Sequence, residues 1–152
     1  MLICDLGVDH LDDVVELWRA AGLTRPWNDP AADVTRALAS PTSTVLAALD
    51  EAGRLLGTAM VGHDGHRGWV YYLAVDPDLR GNGLGRQLLH ASERWLRERD
   101  VPKLNLMVRT TNHAVLAFYD ALGYEDGEVV VLGKFIGEVP AAIGDSAASD
   151  QG

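Results

Sequence analysis

A chain of 152 residues with a formal charge of −9 fits one domain able to bury about 68–70% of its unfolded surface. It lacks the clustered cationic character that a nucleic-acid partner demands. Its only cysteine, Cys4, excludes an intrachain disulfide and a cysteine metal cluster, and no stretch approaches the roughly 20 apolar residues needed to span a bilayer. The N-terminus shows no basic segment followed by an apolar run and a small-residue cleavage site, so a reducing cytoplasm is the expected location and a membrane is not an expected partner.

Residues 2–6 read as a short apolar strand. Asp9, with Asp12 three residues on, is expected to cap a helix carrying Leu11, Val14, Val15, Trp18 and Ala21 on one face and ending near Gly22. Thr24-Arg25-Pro26-Trp27-Asn28 is irregular, and Asp29-Pro30 opens a second helix, with Asp as N-cap and Pro in the first turn, bounded by Pro41. Residues 44–49 and 54–62 pattern as a hairpin around Asp50-Glu51-Ala52-Gly53; Asp64-Gly65 makes the next turn, and residues 69–75 the next strand. A two-residue period places Tyr71 and Tyr72 of that strand on opposite faces of the sheet.

A helix over about 84–99, with Leu84, Leu88, Leu89, Ala91, Trp95 and Leu96 on its apolar face, leads to a strand at 103–108 that can run parallel to 69–75 through a crossover. Asn112 is suited to cap a short helix bearing Val115, Phe118 and Leu122, and Gly123 suits its left-handed C-terminal position. Residues 128–136, centred on Val129-Val130-Val131-Leu132, are expected to close the sheet. The expected order is β-α-α-β-β-β-α-β-α-β, a mixed α/β sheet in one domain over 1–138. Residues 139–152, rich in Ala, Gly, Ser and Asp and without an aromatic, are expected to form a disordered tail.

The chemistry concentrates where the strand at 69–75 meets the following helix. Asp76-Pro77-Asp78 stops the strand, and Arg80-Gly81-Asn82-Gly83-Leu84-Gly85 leaves few side chains between backbone amides and a ligand. A helix start holds unpaired N–H groups and the positive end of the dipole, so this layout is an anion cradle, with Arg80 and Arg86 adding charge on either side. The spacing matches neither G-x-x-x-x-G-K-[ST] nor G-x-G-x-x-G, which disfavours a nucleotide hydrolase and a dinucleotide-dependent dehydrogenase.

Arg80, Gly83 and Gly85 resemble the [RQ]-x-x-G-x-[GA] acyl-coenzyme A signature of the GNAT superfamily of N-acetyltransferases. Asn112 to Tyr124 resembles its second motif, N-x-x-A/V-x-x-F-Y-x-x-x-G-[FY]. The resemblance covers about residues 1–136, and the fragments LTRPWNDP, DGHRG and YYLAVDP look like the bacterial YpeA-type branch. It implies acetyl-coenzyme A as donor, no metal, and an acyl-coenzyme A crevice between two parallel central strands. Donor contacts would come from Leu73, Ala74, Val75, Arg80, Gly81, Asn82, Gly83, Leu84, Gly85, Arg86, Asn112, Phe118 and Tyr119. Tyr119 would be the general acid, and Arg25, Trp27 and Asn28 would wall the acceptor site.

The implied reaction is direct attack by a primary amine of a small molecule or peptide on the thioester in a ternary complex. The alternative is a non-catalytic acyl-coenzyme A-binding module, made plausible by a departure from the family pattern. The two places where many members carry a glutamate base align with Trp69 and Met107, neither of which accepts a proton. Asp64, His66 and Tyr72 are the substitutes, acting directly or through water. The histidines at 10, 63, 66, 90 and 113 make no i, i+4 pair, so no metal site is expected, and monomer and homodimer remain equally open.

Overall fold

The computed structural model describes residues 1–138; the expected tail at 139–152 lies outside the described residues. The chain divides into two compact units, Met1–Leu106 and Met107–Gly152. The first holds β1 (Leu2–Asp5), α1 (Leu11–Ala20), α2 (Pro30–Ala39), β2 (Ser43–Leu49), β3 (Leu55–His63), β4 (Gly68–Val75), α3 (Leu84–Arg97) and β5 (Leu104–Asn105). The second holds α4 (His113–Asp120). The five strands form one mixed sheet in the order β1-β2-β3-β4-β5, with β1 to β4 antiparallel and β5 parallel to β4.

Alternation along the strands divides the core in two. Val45, Ala47, Leu55 and Ala74 face α1 and α2 and pack with Val14, Leu17, Trp18, Val34 and Ala37. Ala48, Leu56 and Ala59 face the other way and pack with Leu84 and Leu88 of α3. The sheet is thus covered on both faces, as an amphipathic helix and an apolar strand face require. Helix α3 lies against bare backbone: a Cβ at Gly68 would come within 2.4 Å of Leu96 Cδ1.

Local signals fix most boundaries. Asp29 Oδ1 accepts from Ala32 N at 3.1 Å, with Pro30 at the first position of α2. Asp50 Oδ1 accepts from the backbone N–H groups of Ala52 and Arg54, each at 2.9 Å, and shapes the β2–β3 turn. Asn112 Oδ1 accepts from Val115 N at 3.3 Å and caps α4, and Gly123 takes φ +88° just beyond its end.

Four expectations need correction. Asp9 does not cap α1: a single 3-10 turn, Val8–His10, precedes the helix, and Asp9 sits inside that turn. The expected strand at 103–108 pairs only over Leu104–Asn105, opposite Gly68 and Trp69; its parallel direction is as expected. The closing strand at 128–136 is not formed. Glu128 has φ +53° and its N–H is taken by Asp126 Oδ1 at 2.8 Å, which bends the chain where extension should begin. Val129, Val130, Leu132 and Ile136 are left 81–96% exposed. An apolar run becomes a strand only where another edge takes up its backbone groups, and periodicity does not report that edge.

The fourth correction concerns β4. Its register against β3 runs Tyr71↔Met60 and then Ala74↔Thr58, so three steps on β4 oppose two on β3. One residue is extra, and Tyr72 takes it up in the left-handed region at φ +50°. The bulge resets the alternation. Tyr71 shares the face of its partner Met60, which packs toward α1 and α2, while Tyr72 stacks on Trp18 of α1. Both tyrosines therefore lie on one face rather than on opposite faces.

A buried polar chain secures this region. Trp18 Nε1 donates to Thr58 Oγ1 at 2.8 Å, and that hydroxyl donates onward to the Tyr72 carbonyl at 3.1 Å. Thr58→Val keeps the shape but strands the indole N–H, so it should destabilise the protein by about 1–3 kcal/mol in denaturant unfolding. Combined with Trp18→Phe the loss should be less than additive, because one interaction is counted in both single variants.

Candidate active site

Strand β4 ends at Val75 and is followed by Asp76, whose backbone N–H still bonds the Leu56 carbonyl at 2.8 Å. Its Oδ1 accepts from Asp78 N at 3.0 Å and its Oδ2 from Arg54 at 3.3 Å, which anchors the 3-10 turn Pro77–Leu79. The loop then rises through two left-handed glycines, Gly81 at φ +84° and Gly83 at φ +78°, and Asn82 Nδ2 ties it back to the Leu79 carbonyl at 3.1 Å. Gly83 is the N-cap of α3 and no side chain caps the helix. A Cβ at Gly81 or Gly83 would meet nothing within 4 Å, so both glycines border open space.

Those amides, of Leu84, Gly85 and Arg86, have no earlier helical carbonyl to bond, and Arg80 and Arg86 are exposed beside them. The arrangement suits an anion such as the pyrophosphate of a coenzyme A ester: several N–H donors, the positive end of a 14-residue helix, and two guanidinium groups. Upstream, Leu73 and Val75 pack toward α3, and Ala74 toward α1 and α2.

The substitute bases occupy different settings. The Asp64 carboxylate accepts the turn amides of Arg67 at 2.8 Å and His66 at 2.9 Å. Those two bonds hold its carboxyl below the usual carboxylate range and make it a weaker base. His66 is exposed in the same turn. The Tyr72 hydroxyl donates to Asp33 Oδ2 of α2 at 2.7 Å, and its ring lies on Trp18 with centroids 3.7 Å apart and planes 3° apart. Burial, followed by the hydrogen bond and charge of Asp33, raises the Tyr72 pKa far above the ordinary tyrosine value, so this side chain is a neutral phenol.

Asp33 was not among the sequence candidates. Within its own helix it is an ordinary acidic residue of the first turn, and its partner lies 39 positions away. No spacing within α2 pointed to that partner. Of the acceptor-wall candidates, Arg25 uses its guanidinium to bond the carbonyls of Gly22 and Thr24, both at 2.9 Å, and so braces the α1–α2 connection. Asn28 N bonds the Arg25 carbonyl at 3.1 Å, and Trp27 is half-buried in the same connection.

In the second unit, the Tyr119 ring meets Phe118 edge-on at 5.1 Å and Tyr124 at 5.7 Å between centroids. Burial pushes its pKa up to about 12, so it carries its proton throughout the neutral range. The cap made by Asn112 uses its side-chain oxygen and not its NH2 group. Among the described residues no group of three or more His, Cys, Asp or Glu side chains could hold a metal, and no helix is long and apolar enough to cross a membrane.

Residues 11–124 match the family model described as acetyltransferase (GNAT) family. An acetyltransferase of Yersinia pestis (strain Pestoides F) is 44% identical over 126 residues, covering 83% of this chain and 89% of that protein. One from Sodalis glossinidius is 45% identical over 127 residues, with the same two coverages. Among solved structures, AAC(6')-Iy in complex with the bisubstrate analog CoA-S-monomethyl-acetylneamine superposes with a TM-score of 0.76 at 20% identity, over 88% of this chain and 97% of that one. A putative acetyltransferase from Agrobacterium tumefaciens gives 0.75 at 20% identity, over 89% and 100%. With a glycine loop and an uncapped helix start at the end of β4 and a family match over most of its length, the chain belongs to the acetyltransferase (GNAT) family.

Proposed function

We propose that this protein transfers an acetyl group from acetyl-coenzyme A to a primary amine of a small-molecule or peptide acceptor, by direct attack in a ternary complex in the cytoplasm. Family membership makes it an N-acetyltransferase with acetyl-coenzyme A as donor. The observation that carries the reading is the uncapped start of α3 behind two left-handed glycines that border open space, flanked by Arg80 and Arg86. Direct attack is supported by the position of Cys4 on β1, three strands from β4 and so about 14 Å away across the sheet.

In this reading the pyrophosphate takes the amides of Leu84, Gly85 and Arg86, and Gly81, Asn82 and Gly83 shape the approach. The pantetheine arm follows Leu73, Ala74 and Val75, and a strand amide there donates to the thioester oxygen; such a donor typically contributes about 10² to 10³ in rate. Asn112, Phe118 and Tyr119 enter through the family match, as do Arg25, Trp27 and Asn28 on the acceptor side. The amine nitrogen bonds to the carbonyl carbon and the C–S bond breaks. Tyr119 gives its hydrogen to the departing sulfur and becomes a phenolate, and the proton lost by the nitrogen passes through water to that phenolate. Asp64 and His66 are exposed and can relay that proton through water.

Three outcomes test the reading. Gly83→Val forces a β-branched residue into a left-handed position over the cradle, and Arg80→Ala removes one charged donor. Calorimetry should show coenzyme A binding weakened in both, by about 10- to 100-fold for Arg80→Ala. Equal affinity in both folded variants would place the donor elsewhere.

Tyr119→Phe should keep acetyl-coenzyme A binding and lower turnover by about 10². Because burial raises the folded-state pKa, the protonated acid persists as pH rises, so turnover should show no descending limb from Tyr119 between about pH 8 and 10. Mass spectrometry after incubation with acetyl-coenzyme A should find no acetyl-Cys4 competent for transfer.

A further inference from the structure

Several observations within the first unit converge on the hydroxyl of Tyr72. The extra residue in β4 turns this side chain toward α1 and α2, and the Trp18 ring holds it flat at 3.7 Å. Its oxygen lies 2.7 Å from Asp33 Oδ2, while Asp33 Oδ1 is held by Arg36 at 3.2 Å. An ionised carboxylate only accepts, so the phenol must be the donor in this pair. A phenol has one hydrogen. With that hydrogen committed to Asp33, the Tyr72 oxygen offers only lone pairs to any further partner.

We propose that Tyr72 accepts a hydrogen bond from the N–H of the acceptor amine and so aims the nitrogen lone pair at the thioester, with Asp33 as the positioning residue that fixes this polarity. The inference rests on the reading above that Leu73 to Val75 hold the thioester, which Tyr72 immediately precedes. The polarity matters chemically. A phenol free to rotate could donate to the nitrogen and occupy the electron pair that has to attack, whereas a phenol already donating to a carboxylate cannot. The amine loses its ammonium proton to water beforehand, and no proton is transferred to Tyr72. Burial and the Asp33 carboxylate keep Tyr72 un-ionised, in agreement with an orienting rather than a basic role.

The test compares wild type with Y72F, D33A, D33N and Y72F/D33A, after circular dichroism and thermal melting establish that each is folded. Free-thiol release is followed with neamine, spermidine and an alanine-terminated peptide as probes. Y72F and D33A should each lower kcat/KM for the acetylated probe by about tenfold, the worth of one hydrogen bond, with KM for acetyl-coenzyme A unchanged. The double variant should be no worse than Y72F, because the two residues act as one unit. D33N should recover most of what D33A loses, since the asparagine oxygen can accept the same hydrogen.

Y72F at the wild-type level would overturn the inference. So would additive losses, or D33N as poor as D33A, which would make the charge and not the polarity decisive. If wild type acetylates some probe but the variants do so equally well, only this inference fails. If wild type binds acetyl-coenzyme A and acetylates none of the three, the functional reading fails and this inference with it.

Discussion

The stacked contact between Tyr72 and Trp18 is the constraint on which the rest of this protein's central region depends. A tyrosine at φ +50° is strained, by about 1–2 kcal/mol for a residue with a Cβ, and it persists only where its surroundings hold it. Here a parallel aromatic stack, a hydroxyl bond to Asp33 and a carbonyl bond from Thr58 hold it from three directions. Because Trp18 belongs to α1, Asp33 to α2 and Thr58 to β3, the bulge also locks both helices to the sheet. The same residue that breaks the alternation of β4 thus sets where the two helices lie.

Downstream of the bulge the strand resumes its alternation, and its carboxyl end delivers the chain to α3. Leu84 and Leu88 seat that helix on Ala48, Leu56 and Ala59, while its first turn is left without a side-chain cap. Seating and exposure have separate causes: apolar burial fixes the helix axis, and the left-handed Gly83 in the capping position leaves the amides uncovered. The net charge of −9 repels a polyanionic donor at long range. Within a Debye length of about 8 to 10 Å, Arg80, Arg86 and the helix dipole oppose that repulsion.

No residue on β4 presents a free carboxylate. Trp69 and Tyr71 form a stacked pair, with ring centroids 6.4 Å apart, and Asp64 is engaged by its own turn. A group whose lone pairs are shared with backbone amides gains little by accepting a proton. In the reaction proposed above, rate would then come from holding a neutral amine in line with the thioester, for which effective molarities of about 10⁵ M and above are attainable.

The sequence by itself determined most of what depends on neighbours in the chain, the Asp9 cap excepted. Asp29 with Pro30, the Asn112 cap, the Asp50 turn and the left-handed Gly123 are set by bonds or torsions within a few residues, and all were legible. The strand end, glycine loop and helix start around residues 75–84 were legible for the same reason, since they are consecutive.

Tertiary structure decided everything that needs a partner from elsewhere. The two-residue pairing of β5 and the unformed strand at 128–136 depend on which edges are available, which periodicity does not encode. The bulge in β4 appears only against the register of β3, so Tyr71 and Tyr72 could not be placed on one face beforehand. Asp33 meets Tyr72 across 39 residues, a distance over which composition and spacing carry no signal and only the packing of α2 on the sheet brings carboxylate and phenol together.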